Sequence, residues 1–113
     1  MATNDKNDKP SFYLKVSEQY PEVIASVERL GTTLRTAGPL EGRTTQLIQL
    51  AAAAAMQSEG SVCSHTRRAL KAGATPDEIR HTLLLLMATM GFPRAMAALS
   101  WAEEELTKES NKE

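Results

Sequence analysis

The chain has 113 residues, one cysteine, and 13 basic against 14 acidic residues, for a formal net charge of −1. That length predicts one domain with a real but modest core, and the balanced charge argues against nucleic acid or an anionic membrane as a partner. A single cysteine excludes an internal disulfide and leaves no CxxC or Cys/His cluster for zinc, so no metal site is expected.

The N-terminus, MATNDKNDKP, is polar and lacks the apolar core of a signal peptide. No apolar run approaches the roughly 20 residues of a membrane span. The expectation is a soluble, cytoplasmic protein. Residues 1–10 and 108–113 are polar and read as disordered tails around one domain at 11–107. Between them the apolar residues recur at helical spacing, broken by glycine and proline, and no alternating stretch suggests a strand.

Pro21 suits the first turn of a helix through YPEVIASVERLGTTLRTAG, with Val23, Val27, Leu30 and Leu34 on one face and Gly38-Pro39 as the stop. A second helix is predicted from near Glu41 through Gln57, with Leu47, Leu50, Ala51 and Ala54 as its stripe. The alanine run at 51–55 has high helix propensity and lets a neighbouring helix approach closely. Gly60 interrupts the pattern, and Ser61 is the expected N-cap of a third helix that ends at Gly73. Thr75-Pro76-Asp77-Glu78 reads as a capping box with proline at the first helical position, opening a fourth helix. That helix carries Ile79, Leu83, Leu86, Met87 and Met90 on one face, but Leu84 and Leu85 fill other faces. A helix apolar nearly all round needs cover on more than one side, so assembly with other subunits is expected. Gly91-Phe92-Pro93 turns into a last helix with Met96, Leu99, Ala102 and Leu106 inward. The reading is an all-α, single-domain bundle of about five main helices that assembles as an oligomer.

The segment SHTRRALKAGATPDEIRHTLLLLMATMGFPRAMAALSWA, with RTTQLIQLAAAAA before it, resembles the carboxymuconolactone decarboxylase family. The resemblance covers about residues 20 to 106 and rests on the order of a His, an R-x-A-L-x-x-G run, a T-x-x-E-I helix start and a G-x-P turn. It implies an alkyl hydroperoxidase D-like helical fold and assemblies such as trimers or hexamers. One branch of the family decarboxylates a lactone of aromatic catabolism without a cofactor. The other reduces peroxides through Glu-x11-Cys-x-x-Cys-x3-His. Laid on this chain, the histidine of that pattern falls on His65, the cysteines on Ser58 and Ser61, and the glutamate on Gln46. Cys63 lies two residues out of register.

Dithiol peroxide reduction needs a thiolate and a resolving thiol. Serine hydroxyls cannot cycle through a disulfide, and Gln46 cannot act as a base, so that mechanism is excluded here. Cys63, near a helix start with Arg67 one turn on, is a redox candidate if its pKa is lowered, and otherwise a small packing residue. His65 is either the acid/base of the site or a structural histidine, and Ser61 is its i, i+4 neighbour. Arg43, Arg67 and Arg68 are candidates to hold a substrate carboxylate, or else ordinary ion-pair residues. His81 stands where the decarboxylase relatives carry a glutamate, and Met56, Met87, Met90 and Met96 read as core. The functional expectation is a cofactor-free, His-dependent enzyme or binder of a small organic acid or lactone. A peroxidase-like protein working through Cys63 and a non-catalytic scaffold are the alternatives.

Overall fold

The computed structural model describes residues 11–112, and every regular element among them is helical. The expected tail at 1–10 lies outside the described residues. The chain forms two compact units, one ending at Leu40 and the other beginning at Glu41.

The first unit is a hairpin of α1 (Ser11–Gln19) and α2 (Pro21–Arg35), joined at Tyr20. Helix α1 was not among the five expected. The Tyr13 hydroxyl donates to the Glu28 carboxylate and ties the two helices together. Pro21 starts α2 as expected, but the helix ends at Arg35, three residues before Gly38, where the Thr36 hydroxyl donates back to the Thr32 carbonyl at 2.9 Å. Ile24, Gly31 and Arg35 are the half-buried positions of α2. The apolar stripe shares one face as expected, and that face is open: Val23, Val27, Leu30 and Leu34 are 57–60% exposed. Neither helix of this unit buries a single residue.

The second unit holds the core. It comprises α3 (Gly42–Ala55), α4 (Glu59–Lys71), α5 (Pro76–Leu85), α6 (Met87–Met90) and α7 (Phe92–Asn111). Leu50, Val62, Ile79, Leu83 and Leu106 pack with Ala53, Ala54, Ala69, Ala74, Ala98 and Ala102 into one cluster. With six alanines in that cluster, the helix axes approach closely and modest side-chain volume fills the gaps between them. On α3 the buried stripe uses Ala53 rather than Ala51, because Gln46, Leu50, Ala53 and Ala54 share the covered face while Leu47 packs only partly against it.

The local signals at the helix ends are physical. In the Thr75 capping box, the hydroxyl oxygen accepts from the Glu78 amide at 3.0 Å and the Glu78 carboxylate accepts from the Thr75 amide at 2.9 Å. Helix α4 ends in a Schellman turn: Gly73, at φ +100°, donates to the Leu70 carbonyl and Ala74 donates to that of Ala69. The long fourth helix breaks at Leu86, whose amide bonds to the Leu83 carbonyl, three residues back instead of four. Leu84 and Leu85 are left 45% and 61% exposed. Gly91 then turns the chain at φ 96°, ψ 155°, a conformation essentially confined to glycine. Helix α7 continues through the polar residues to Asn111. Met96, expected inward, is 41% exposed, and Met56, expected in the core, is 77% exposed. Among the described residues no helix is long and apolar enough to cross a membrane.

Candidate active site

Helices α3 and α4 run antiparallel through a tight connection. Gln57 sits there in the left-handed region at φ 55°, donating its amide to the Ala54 carbonyl, while Ser58 donates to that of Ala53. This is a Schellman turn built on a glutamine. Its cost in backbone strain is offset by the side chain, whose Nε2 donates to the carbonyls of Ala54 at 2.8 Å and Arg94 at 3.1 Å, clamping the turn to the start of α7. Ser58, rather than Ser61, occupies the N-cap position of α4, although its hydroxyl makes no capping bond. Gly60 and Ser61 lie inside the first turn of that helix.

The register fixed by this turn brings Gln46 opposite His65. Gln46 is 7% exposed, and its Oε1 lies 3.0 Å from Nδ1 of the half-buried His65. A carboxamide oxygen can only accept, so with Oε1 as the partner the hydrogen in this bond is on Nδ1. The same register sets Arg43, one turn before Gln46, level with Arg68, one turn after His65. One turn after Gln46 in α3, Gln49 has a buried carbonyl oxygen with no hydrogen-bond partner among the described residues. The signal for Gln49 in the sequence is the Gln-x-x-Gln spacing, which puts two polar groups on one helix face.

The three arginines have different surroundings. Arg67 points to α7 and pairs with Glu105 at 3.3 Å, the two side chains only 14% and 6% exposed. Its partner lies 38 positions on in the sequence, and nothing local announced it. Arg43 pairs with Glu41 at 3.1 Å and Glu78 at 3.6 Å. Arg68 has no ion pair among the described residues.

Cys63 faces α7, with its sulfur 3.8 Å from the Trp101 carbonyl oxygen. Burial raises its pKa first, and the carboxylates of Glu105 and Glu59 raise it further, against partial opposition from Arg67 and Lys108. The lowered pKa that a redox role requires is therefore not present. His81 is exposed on α5. Among the described residues no cluster of His, Cys, Asp and Glu could hold a metal ion.

A model of the carboxymuconolactone decarboxylase family matches residues 21–104, which takes in Gln46, Ser58, Ser61 and His65. The chain belongs to the carboxymuconolactone decarboxylase family. Solved structures similar to it include two from bacteria. One is the apo form of a carboxymuconolactone decarboxylase family protein from Legionella pneumophila, 28% identical, with a TM-score of 0.70 over 84% of this chain and 88% of that one. The other is a candidate carboxymuconolactone decarboxylase from Burkholderia xenovorans LB400, 24% identical, with a TM-score of 0.69 over 92% of this chain and 84% of that one, a likeness of fold. No curated protein sequence matches the chain closely enough to count as a relative. Family membership carries the fold, and the chain's single cysteine leaves it no Cys-x-x-Cys pair for dithiol chemistry.

Proposed function

We propose that the protein is a cofactor-free binder, and proton-transfer enzyme, for a small organic acid or lactone, with His65 as the acid/base. The observation that carries this reading is the Gln46–His65 hydrogen bond across α3 and α4. It joins the two positions onto which the resemblance lays the glutamate and histidine of the redox pattern. A neutral acceptor on Nδ1 orients the imidazole without adding charge, which suits the ring to taking up and returning a proton. Arg68, one turn along the same helix and without an ion pair among the described residues, is the group that would hold the substrate's carboxylate. Arg43 is level with it but divided between two glutamates. Ser61, one turn before His65, would border the substrate on the other side, and Ser58 would end that face at the start of the helix. The raised pKa of Cys63 speaks against the peroxidase alternative.

The test is an NMR titration of the labelled protein with a panel of small lactones and carboxylates, followed by turnover assays on those that bind. His65 and Arg68 resonances should shift together. Arg68→Gln should raise KM by about 10- to 100-fold, the loss of one charge-assisted contact. His65→Asn should abolish turnover while leaving binding in place. Ligands that shift only residues remote from α3 and α4, or turnover that survives His65→Asn, would refute the reading.

A further inference from the structure

The exposed stripe of α2 has a regular spacing. Tyr20, Val23, Val27, Leu30 and Leu34 follow steps of three, four, three and four residues, the alternation of the a and d positions of a heptad. All five are 57–60% exposed. Side chains of these sizes leave on the order of 500 Å² of contiguous apolar surface, the upper range for a monomer surface patch. The hairpin that carries the stripe buries no residue, and a two-helix unit without a core needs an external surface to pack against.

We infer that this stripe is the contact between two copies of the chain, with α2 packed antiparallel on α2 about a two-fold axis at Val27. Three observations select a second copy as the occupant. First, a 3-4 seam is complementary to another helix with the same spacing. The other exposed large apolar residues among those described (Leu40, Ile48, Met56, Leu84, Leu85, Phe92 and Met96, besides Phe12) make no second seam of this period. Secondly, the positions that flank the seam are Ile24, Ser26, Gly31 and Thr33, all uncharged, so like surfaces meet without repulsion. Thirdly, the first turn of α2 is acidic at Glu22 and its last turn basic at Arg35. Antiparallel pairing brings the acidic end of each helix near the basic end of its partner and opposes the helix dipoles. Tyr20 then faces Leu34, and Val23 faces Leu30. Counted on both copies the contact buries about 1,000 Å², the threshold for a specific interface. A two-fold contact produces even-numbered assemblies, so of the trimer and the hexamer implied by the resemblance it fits the hexamer.

The test measures the mass of the full chain by sedimentation and light scattering at tens of micromolar. The expected mass is an even multiple of 12.3 kDa. Val27→Glu places two carboxylates together on the axis and should halve it, whereas Ile48→Glu, outside the seam, should leave it unchanged. A second variant covers the case in which Val27→Glu misfolds: Val27→Cys in a Cys63→Ser background should form a symmetric disulfide-linked dimer under mild oxidation. A monomeric wild-type chain, as packing of the stripe within one chain would give, overturns the inference. So does an undiminished mass for a folded Val27→Glu variant, or failure of Val27→Cys to cross-link.

Discussion

Replacing Glu105 by glutamine removes one charge from a nearly buried ion pair while keeping the side chain's shape. At the observed 3.3 Å, and with an effective dielectric of about 20, the attraction between Arg67 and Glu105 is about 5 kcal/mol before desolvation. Breaking such a pair from one side leaves the other charge uncompensated, at a cost of about 3–5 kcal/mol. Arg67 is 14% exposed and keeps some solvation, which places the expected loss at the lower end, about 3 kcal/mol. With a urea m-value of about 1.5 kcal/mol/M for a chain of this size, the unfolding midpoint falls by about 2 M. Trp101, the single tryptophan, lies on α7 against the core and gives a fluorescence signal beside circular dichroism. Protein concentration is held fixed, because association would add a concentration-dependent term. Arg67→Met combined with Glu105→Leu removes both charges and should recover to within about 1 kcal/mol of the parent. Glu103→Gln, on a much more exposed pair with Arg80, should barely move the midpoint. A loss below about 1 kcal/mol for Glu105→Gln, or a double variant less stable than the single one, would refute the reasoning.

Three further predictions concern single sites. Cys63 is held as the thiol by burial and by Glu105, so iodoacetamide should react with it at pH 7 more slowly than with an unfolded control. The reaction should accelerate only under alkaline conditions, and earlier in Glu105→Gln; fast alkylation at pH 7 would contradict the raised pKa. Because the folded-state value is raised, the thiol's contribution to stability is present below the unfolded pKa and declines as pH rises through the folded one. Gln46→Glu places a carboxylate on Nδ1 of His65, which should move the histidine's NMR titration upward, and an unchanged midpoint would mean that the two side chains do not meet in solution. Gly73→Ala finds open space for its Cβ but is strained at φ +100°, so it should cost about 1 kcal/mol in denaturant unfolding, whereas Gly60→Ala, inside a helix, should stabilise the fold slightly.

What was legible in the sequence was local. The Thr75–Glu78 box could be read because the partners lie three residues apart and the chemistry of capping needs nothing else. Gln46 and His65 could be aligned by spacing, and the hairpin turn converts that spacing into contact. The break at Leu86 carries no such mark, since four consecutive leucines look equally helical whether a carbonyl bonds three or four residues on. Arg67 and Arg68 are adjacent in sequence yet about 100° apart around α4. Which of them meets Glu105 depends on how α7 lies across the helix, and no local pattern holds that information. The stripe on α2 shows the same limit from the other side: periodicity says which residues share a face, not what covers it.

The alanine-rich interior has a consequence for how this protein can change. At Ala54, Ala69, Ala98 and Ala102, all fully enclosed, there is almost nothing to delete, and any larger residue must push helices apart. Drift at those positions is therefore blocked in the direction of growth, and the one smaller residue, glycine, costs about 1 kcal/mol in a helix interior. The spacing between α3 and α4 behaves as a fixed gauge, with Gln46 and His65 mounted on its two jaws. Glutamate can become glutamine, and cysteines can become serines, while the distance across the gap stays the same. Side chains facing the gap can change one at a time on a frame that does not move.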